Sequence, residues 1–199
     1  MAETIRLPAP GLTGAVPVEK ALRERRSLRE FGSAALSLQE LAQLLWAAQG
    51  VTRPGGYRTA PSAGALYPLE VYAVAGNVTE VAAGVYRYLP AEHRLVRVAE
   101  GDRRRAVASA ALSQDWMRRA PAILLIAGVF ERTARKYGAR ATQYVHFEAG
   151  CAAQNVALQG AALGIGSVVV GAFDDAELAK AAGLAPGERL IALIPVGRE

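Results

Sequence analysis

Between Pro121 and Phe130 the chain carries four aliphatic residues in a row, Ile123, Leu124, Leu125 and Ile126. A strand turns alternate side chains to opposite faces, so an unbroken run of this kind needs apolar cover on both. It predicts a central strand over 121–130, inside a sheet with helices above and below. A second stretch, roughly Ala141 to Leu163, has small residues on nearly every side of a helical wheel. That pattern predicts a helix buried on most faces, the backbone of the core and of any contact between copies.

The remaining elements follow from local signals. Pro17 to about Arg26 reads as a helix with Pro at its first position. Ser37 and Glu40 form a capping box, Leu38, Leu41, Leu44, Leu45 and Ala48 make one apolar stripe, and Gly50 supplies the stop. Val51 to Pro68 lacks sustained periodicity and reads as a loop with packing or binding work of its own. Strands are expected at Leu69–Ala75, Val85–Leu89 and Leu95–Val98, the last two joined through Pro90–Arg94, with a helix over Gly101–Leu112. A short strand over Ser167–Ala172, a helix opened by Asp174 and Glu177 and closed at Gly183, and a last strand over Arg189–Val196 complete the series. This order fits an α+β sheet flanked by helices better than a regular β-α-β repeat. We expect a single domain over 17–199, preceded by an N-terminal extension over 1–16.

Several function classes recede. The apolar stretch from Phe147 to Gly171 is broken by Glu148, Gln154, Asn155 and Gln159, so it does not read as a membrane span. Met1 to Pro17 lacks a basic region followed by an apolar run, and a cytoplasmic protein is expected. Cys151, the lone cysteine, reads as a small buried hydrophobe. His93 and His146 lack the spacing of a zinc site, and no metal is expected. The net charge of +5 is spread over short separate groups without the marks of a nucleic-acid binder, so no nucleic-acid partner is expected.

Two clusters remain. Arg25, Arg26, Ser27 and Arg29 offer three guanidinium forks and a hydroxyl within five positions, a donor set matched to phosphate, although a cluster of this kind taken alone is more often a solvated face. Ala60-Pro-Ser-Ala-Gly-Ala-Leu-Tyr-Pro68 is a run of small residues that either lets a flat ligand approach the backbone or packs as a tight turn on its own sheet. Gly164, Gly166 and Gly171 follow a helix and precede a strand, the reverse of a dinucleotide-binding fingerprint.

Five ordered blocks carry a resemblance: Arg25-Arg-Ser-Leu-Arg-Glu-Phe31, Pro61-Ser-Ala-Gly-Ala-Leu-Tyr-Pro68, Glu148-Ala-Gly with Ala153-Gln-Asn155, Leu163-Gly-Ile-Gly-Ser167 with Val170-Gly-Ala-Phe173, and Pro195-Val-Gly-Arg198. Together they resemble the nitroreductase superfamily, and more narrowly its SagB-type branch. The resemblance implies a nitroreductase-like α+β fold, a mixed, mainly antiparallel sheet in an intertwined homodimer, with two FMN sites each built from both subunits. Carried over by position, Arg25, Arg26, Ser27 and Arg29 hold the phosphate and ribityl chain, and Arg198 reaches the phosphate from the C-terminal end. Pro61, Ser62, Ala63, Gly64 and Ala65 come from the partner and cover the isoalloxazine. Val170, Gly171 and Ala172 line the ring, with the Gly171 amide the donor near N5, and Gln114 stands at the pyrimidine edge. This chain has Ala63 and Ala65 where the family usually has Ser or Asn, and Cys151 where the branch commonly has His.

The implied activity is ping-pong hydride transfer between NAD(P)H and an oxidised small molecule such as a nitroaromatic or quinone. Lys136-Tyr137-Gly138 resembles the Lys-Tyr element of azoline dehydrogenases, which implies the alternative of oxidising thiazoline or oxazoline rings in a modified peptide, with Lys136 and Tyr137 as base. A basic residue and an aromatic at a helix entrance is the plainer reading of the same pair. A flavin-binding or nucleic-acid-associated protein without turnover is the reading from another class.

Overall fold

The computed structural model describes residues 3–199. Along them run β1 (Thr4–Arg6), α1 (Val18–Glu24), α2 (Leu38–Gln49), β2 (Val51–Arg53), β3 (Tyr57–Arg58), β4 (Leu69–Ala75), β5 (Gly84–Leu89), β6 (Arg94–Glu100), α3 (Arg104–Ala110), β7 (Ala122–Gly128), α4 (Phe130–Tyr137), α5 (Ala141–Ala162), β8 (Gly166–Ser167), α6 (Asp175–Ala182) and β9 (Arg189–Gly197). Seven strands form one sheet in the order β1-β6-β5-β4-β7-β9-β8, with every neighbouring pair antiparallel.

The apolar run forms β7, buried at all seven positions between β4 and β9. Its alternate side chains divide between two cores. Ala122, Leu124 and Ile126 join Leu41, Leu44, Val145 and Val156 under α2 and α5, whereas Ile123, Leu125 and Ala127 join Val107, Leu178 and Ala182 under α3 and α6. Each of the four large aliphatics is fully buried, a gain of about 1.5–3 kcal/mol apiece before entropy is counted. This double cover is the reason the run has no polar interruption.

α2 has the expected capping box, with the Ser37 hydroxyl accepting from the Glu40 amide and the Glu40 carboxylate accepting from the Ser37 amide. Gly50 ends it for a reason the sequence did not suggest. Its backbone is extended, not left-handed, and a Cβ there would fall 2.0 Å from the Trp46 ring. Gly183 does close α6 in the left-handed conformation, with φ 65°.

Three expectations need correction. Val51–Pro68 holds a small hairpin of β2 and β3, too short to leave a periodic signal, turned through Gly55 and Gly56 at positive φ. The short strand expected over Ser167–Ala172 is confined to β8 and an isolated bridge from Val170 to Leu193. α5 is buried along one side only: Thr142, Gln143, His146, Phe147, Gly150, Cys151 and Gln154 are exposed, Phe147 to 61%. Cys151 is therefore on an open face, because the helix register sets it one turn beyond Phe147 and not among Val145, Ala149 and Ala152. No described helix is long and apolar enough to cross a membrane.

Candidate active site

α1 stops at Glu24, and the chain then runs extended beside β8. Ser27 bridges Ser167 in parallel, and the Leu28 amide donates to the Ser167 carbonyl at 3.0 Å. The approach is close, since a Cβ on Gly166 would lie 2.2 Å from the Leu28 side chain. This contact brings Arg25 and Arg26 against Ala157 and Ala161 of α5, Ser167, and Arg198 beyond β9, around a cleft of about 410 Å³. Glu24 and Glu199 also line it. Ser27 adjoins the cleft through Ser167, and Arg29 is exposed outside its walls.

The guanidinium of Arg198 is held by the carboxylate of Glu40, which caps α2 with its other oxygen at 2.8 Å from the Ser37 amide. Burial works against ionisation of Glu40, yet the hydrogen bonds from Arg198 and Ser37 prevail and hold its carboxyl below the usual range. Nothing in the sequence linked a helix cap to Arg198; their meeting is tertiary.

Farther along the same sheet edge, Val170 exchanges backbone hydrogen bonds with Leu193 at 2.8 and 2.9 Å. Gly171 follows, exposed, where an added Cβ would meet nothing within 4 Å. Gln114 comes to this segment, its side-chain amide donating to the carbonyls of Ala111 at 3.0 Å and Ala172 at 3.3 Å. Val170, Gly171, Ala172 and Gln114 thus share one open lip.

The loop Pro61–Ala65 is elsewhere. Gly64, Ala65 and Tyr67 have φ of 63°, 53° and 45°, and the two non-glycine residues cost about 1–3 kcal/mol each unless their surroundings hold them. Three hydrogen bonds do so. The Tyr67 amide donates to the Ser62 hydroxyl at 2.8 Å, the Ala63 amide donates to Glu148 Oε1 at 2.9 Å, and Arg132 donates to the Tyr67 carbonyl at 3.0 Å. Lys136 and Tyr137, at the end of α4, converge on this turn. A Cβ on Gly64 would lie 2.9 Å from both Lys136 Nζ and Tyr137 Oη. Tyr144 closes the far side with its ring edge-on to Tyr137 at 5.1 Å.

Glu148 is the functional candidate that sequence reasoning passed over, noted only as part of an ordered block. Burial pushes its carboxyl above the ordinary value, and the hydrogen bonds from Ala63 and Ser62 pull the other way. The available signal was an acid amid small residues on a helix face otherwise destined for the core. A second unforeseen group fixes α4: Arg87 reaches Glu70 at 2.9 Å and Glu188 at 3.0 Å, Arg132 reaches Glu70 at 2.6 Å, and the Tyr72 hydroxyl donates to Glu188. Burial and the neighbouring carboxylate push the Tyr72 phenol upward.

Within one chain these parts do not meet. The arginine cleft lies where β7 begins, beside the pairings of Val196 with Ala122 and Ser167; the Gly64 turn lies where β7 ends, at the pairing of Gly128 with Leu69. Seven strand residues separate them by about 20 Å.

Comparison with known proteins covers almost the whole chain. The family model described as Nitroreductase family matches residues 22–198. The protein named "Putative nitroreductase MJ1384" from Methanocaldococcus jannaschii is 44% identical over 199 residues, 100% of this chain and 99% of its own. A Ralstonia eutropha JMP134 crystal structure of the same description is 33% identical with a TM-score of 0.86, covering 98% of this chain and 89% of that one. A chain of the E. coli microcin synthetase McbBCD complex with truncated pro-MccB17 bound is 26% identical with a TM-score of 0.75, covering 97% of this chain and 77% of that one. On the match of residues 22–198 and these full-length relatives, the chain belongs to the nitroreductase family and has its α+β fold.

Proposed function

We propose that this protein is an FMN-dependent oxidoreductase, a homodimer that passes hydride from NAD(P)H to an oxidised acceptor such as a nitroaromatic or quinone, the two substrates reacting in turn. The observation that carries the reading is the cleft of about 410 Å³ walled by Arg25, Arg26 and Arg198. Arg25, Arg26 and Arg198 present paired N–H donors that suit a phosphate dianion, set against the carboxylates of Glu24 and Glu199 in the walls and of Glu40 on Arg198. The donor set therefore fits the phosphate of FMN, and the bare backbone at Gly171 leaves room for a flat ring beside it.

Bound FMN supplies the two-electron hydride chemistry. The chain's own work is to grip and to orient. Arg25, Arg26 and Arg198 hold the phosphate, with Glu40 aiming Arg198; Ser27 and Arg29 serve the ribityl chain. Val170, Gly171 and Ala172 form the edge along which the ring lies, with the Gly171 amide as donor and Gln114 at the pyrimidine side. The Pro61–Ala65 loop of the partner covers the ring. Two features support a shared site: the loop and the cleft of one chain lie at opposite ends of its sheet, and α5 leaves an open face with Phe147 exposed.

Purified protein is expected to be yellow, or to take up one FMN per chain. Arg25→Ala with Arg198→Ala is expected to weaken uptake at least about tenfold, since each charge-assisted bond contributes about 1.5–3 kcal/mol. A colourless preparation that binds no FMN on titration overturns the proposal.

The meeting of Lys136 Nζ and Tyr137 Oη over Gly64 favours a second reading. In an azoline dehydrogenase one of them takes a proton from a thiazoline or oxazoline ring of a modified peptide while hydride leaves to the flavin. The likeness to a chain of a microcin synthetase complex adds to it. Full activity on thiazoline peptides in a Lys136→Ala, Tyr137→Phe double variant removes these residues from that mechanism.

A further inference from the structure

We infer that Glu148 is a positioning residue: by holding the Ala63 amide it keeps the Gly64 turn seated under Lys136 Nζ and Tyr137 Oη, and so sets where these two groups stand toward the second substrate. The inference rests on the proposed function, in which the loop and the Lys136–Tyr137 pair face the reacting ring. It begins from an expense. A carboxylate buried to 5% exposure, with no cation bonded to it among the described residues, is an unfavourable choice for a helix interior. Its bonding partners are the Ala63 amide at 2.9 Å and the Ser62 side chain.

The turn needs such a hold. Ala65 and Tyr67 have left-handed backbones, and the bonds within the turn, from the Ala65 amide to the Ser62 carbonyl at 3.0 Å and from the Tyr67 amide to the Ser62 hydroxyl at 2.8 Å, tie the turn to itself but not to the helix beside it. Glu148 fastens its first residue to α5, the long helix that also carries Tyr144 against Tyr137. The approach is close, since a methyl group on Gly64 would lie 2.9 Å from both polar atoms and the ends of these side chains would have to shift. A turn released from α5 rises into the space of Lys136 and Tyr137. The Arg132–Glu70 pair at 2.6 Å ties α4 to β4 and opposes its retreat. Loop, lysine, tyrosine and acid thus act as one unit of one chain.

The test compares full-length wild type, Glu148→Ala and Glu148→Gln. Hydrogen exchange of the amides from Ala63 to Tyr67 is measured by mass spectrometry, alongside FMN affinity and steady-state turnover of NADPH with menadione. Glu148→Ala is expected to speed exchange about tenfold and lower kcat about tenfold, with FMN affinity changed less than about twofold. Glu148→Gln, whose amide oxygen still accepts from Ala63, is expected to restore both. Unchanged exchange in Glu148→Ala, faster exchange with wild-type kcat, or a Gln variant no better than Ala overturns the inference. Should Glu148→Ala not fold, Gly64→Ala carries the same test, with faster exchange of the turn and a lowered kcat expected and wild-type exchange and kcat contrary. A wild type that takes up no FMN defeats the proposed function instead, and the exchange comparison then still decides whether Glu148 holds the turn.

Discussion

At the scale of single residues, the decisive facts concern groups whose environment departs from their type. Glu148 has a folded-state pKa raised by burial, so the fold favours its protonated form. Its stabilising contribution is present below the ordinary value of 4.5 and is lost as pH rises through the raised folded value. Glu148→Gln is accordingly expected to match wild type in Tm below pH 4.5 and to exceed it as pH rises toward neutrality; thermal melts across pH 3.5–8 with a constant gap would contradict this. Gly50 is constrained by space. Gly50→Ala is expected to cost about 1–3 kcal/mol by urea unfolding, because the new Cβ displaces the Trp46 ring. Neither constraint was legible beforehand, since both depend on atoms that reach these residues only after folding.

At the scale of elements, legibility follows the length of the repeating pattern. β4 and β7, α2, α5 and α6 lie within a residue or two of their expected bounds, each marked by a cap or by a sustained run of apolar or small residues. β2, β3 and β8 have two or three residues each, too few for any period to register. The α2 cap links this scale to the site, because Glu40 both closes the capping box and holds Arg198. Ser37→Ala is expected to lower stability by about 1 kcal/mol in chemical denaturation while sparing the Arg198 contact. Glu40→Ala is expected to cost more stability and to weaken FMN uptake as well; an equal effect of the two on uptake would separate Glu40 from the arginine cleft.

For the whole molecule, the proposed site draws on groups that lie far apart in one chain. The cleft with Arg25, Arg26 and Arg198 and the turn at Gly64 stand at opposite ends of the same strands. A site shared between two copies predicts complementation. Arg25→Ala, Arg198→Ala subunits and Gly64→Trp subunits, each inactive alone, are expected to regain about a quarter of wild-type turnover when refolded together in equal amounts, because half the dimers are mixed and each mixed dimer has one intact site. Turnover no higher than that of the parents would argue for a site within one copy.

The residues alone determined the layers and the family. A doubly covered strand, a capped amphipathic helix and a long helix of small residues are local patterns that burial makes periodic, and the five ordered blocks survive as short contiguous strings. Tertiary structure decided the rest: that Glu40 aims Arg198, that Glu148 fastens Ala63 across 85 positions of chain, and that Cys151 faces outward. Hydrogen bonds and contacts between distant segments leave no period in the sequence, for they arise only when packing has brought the partners within about 3 Å of each other.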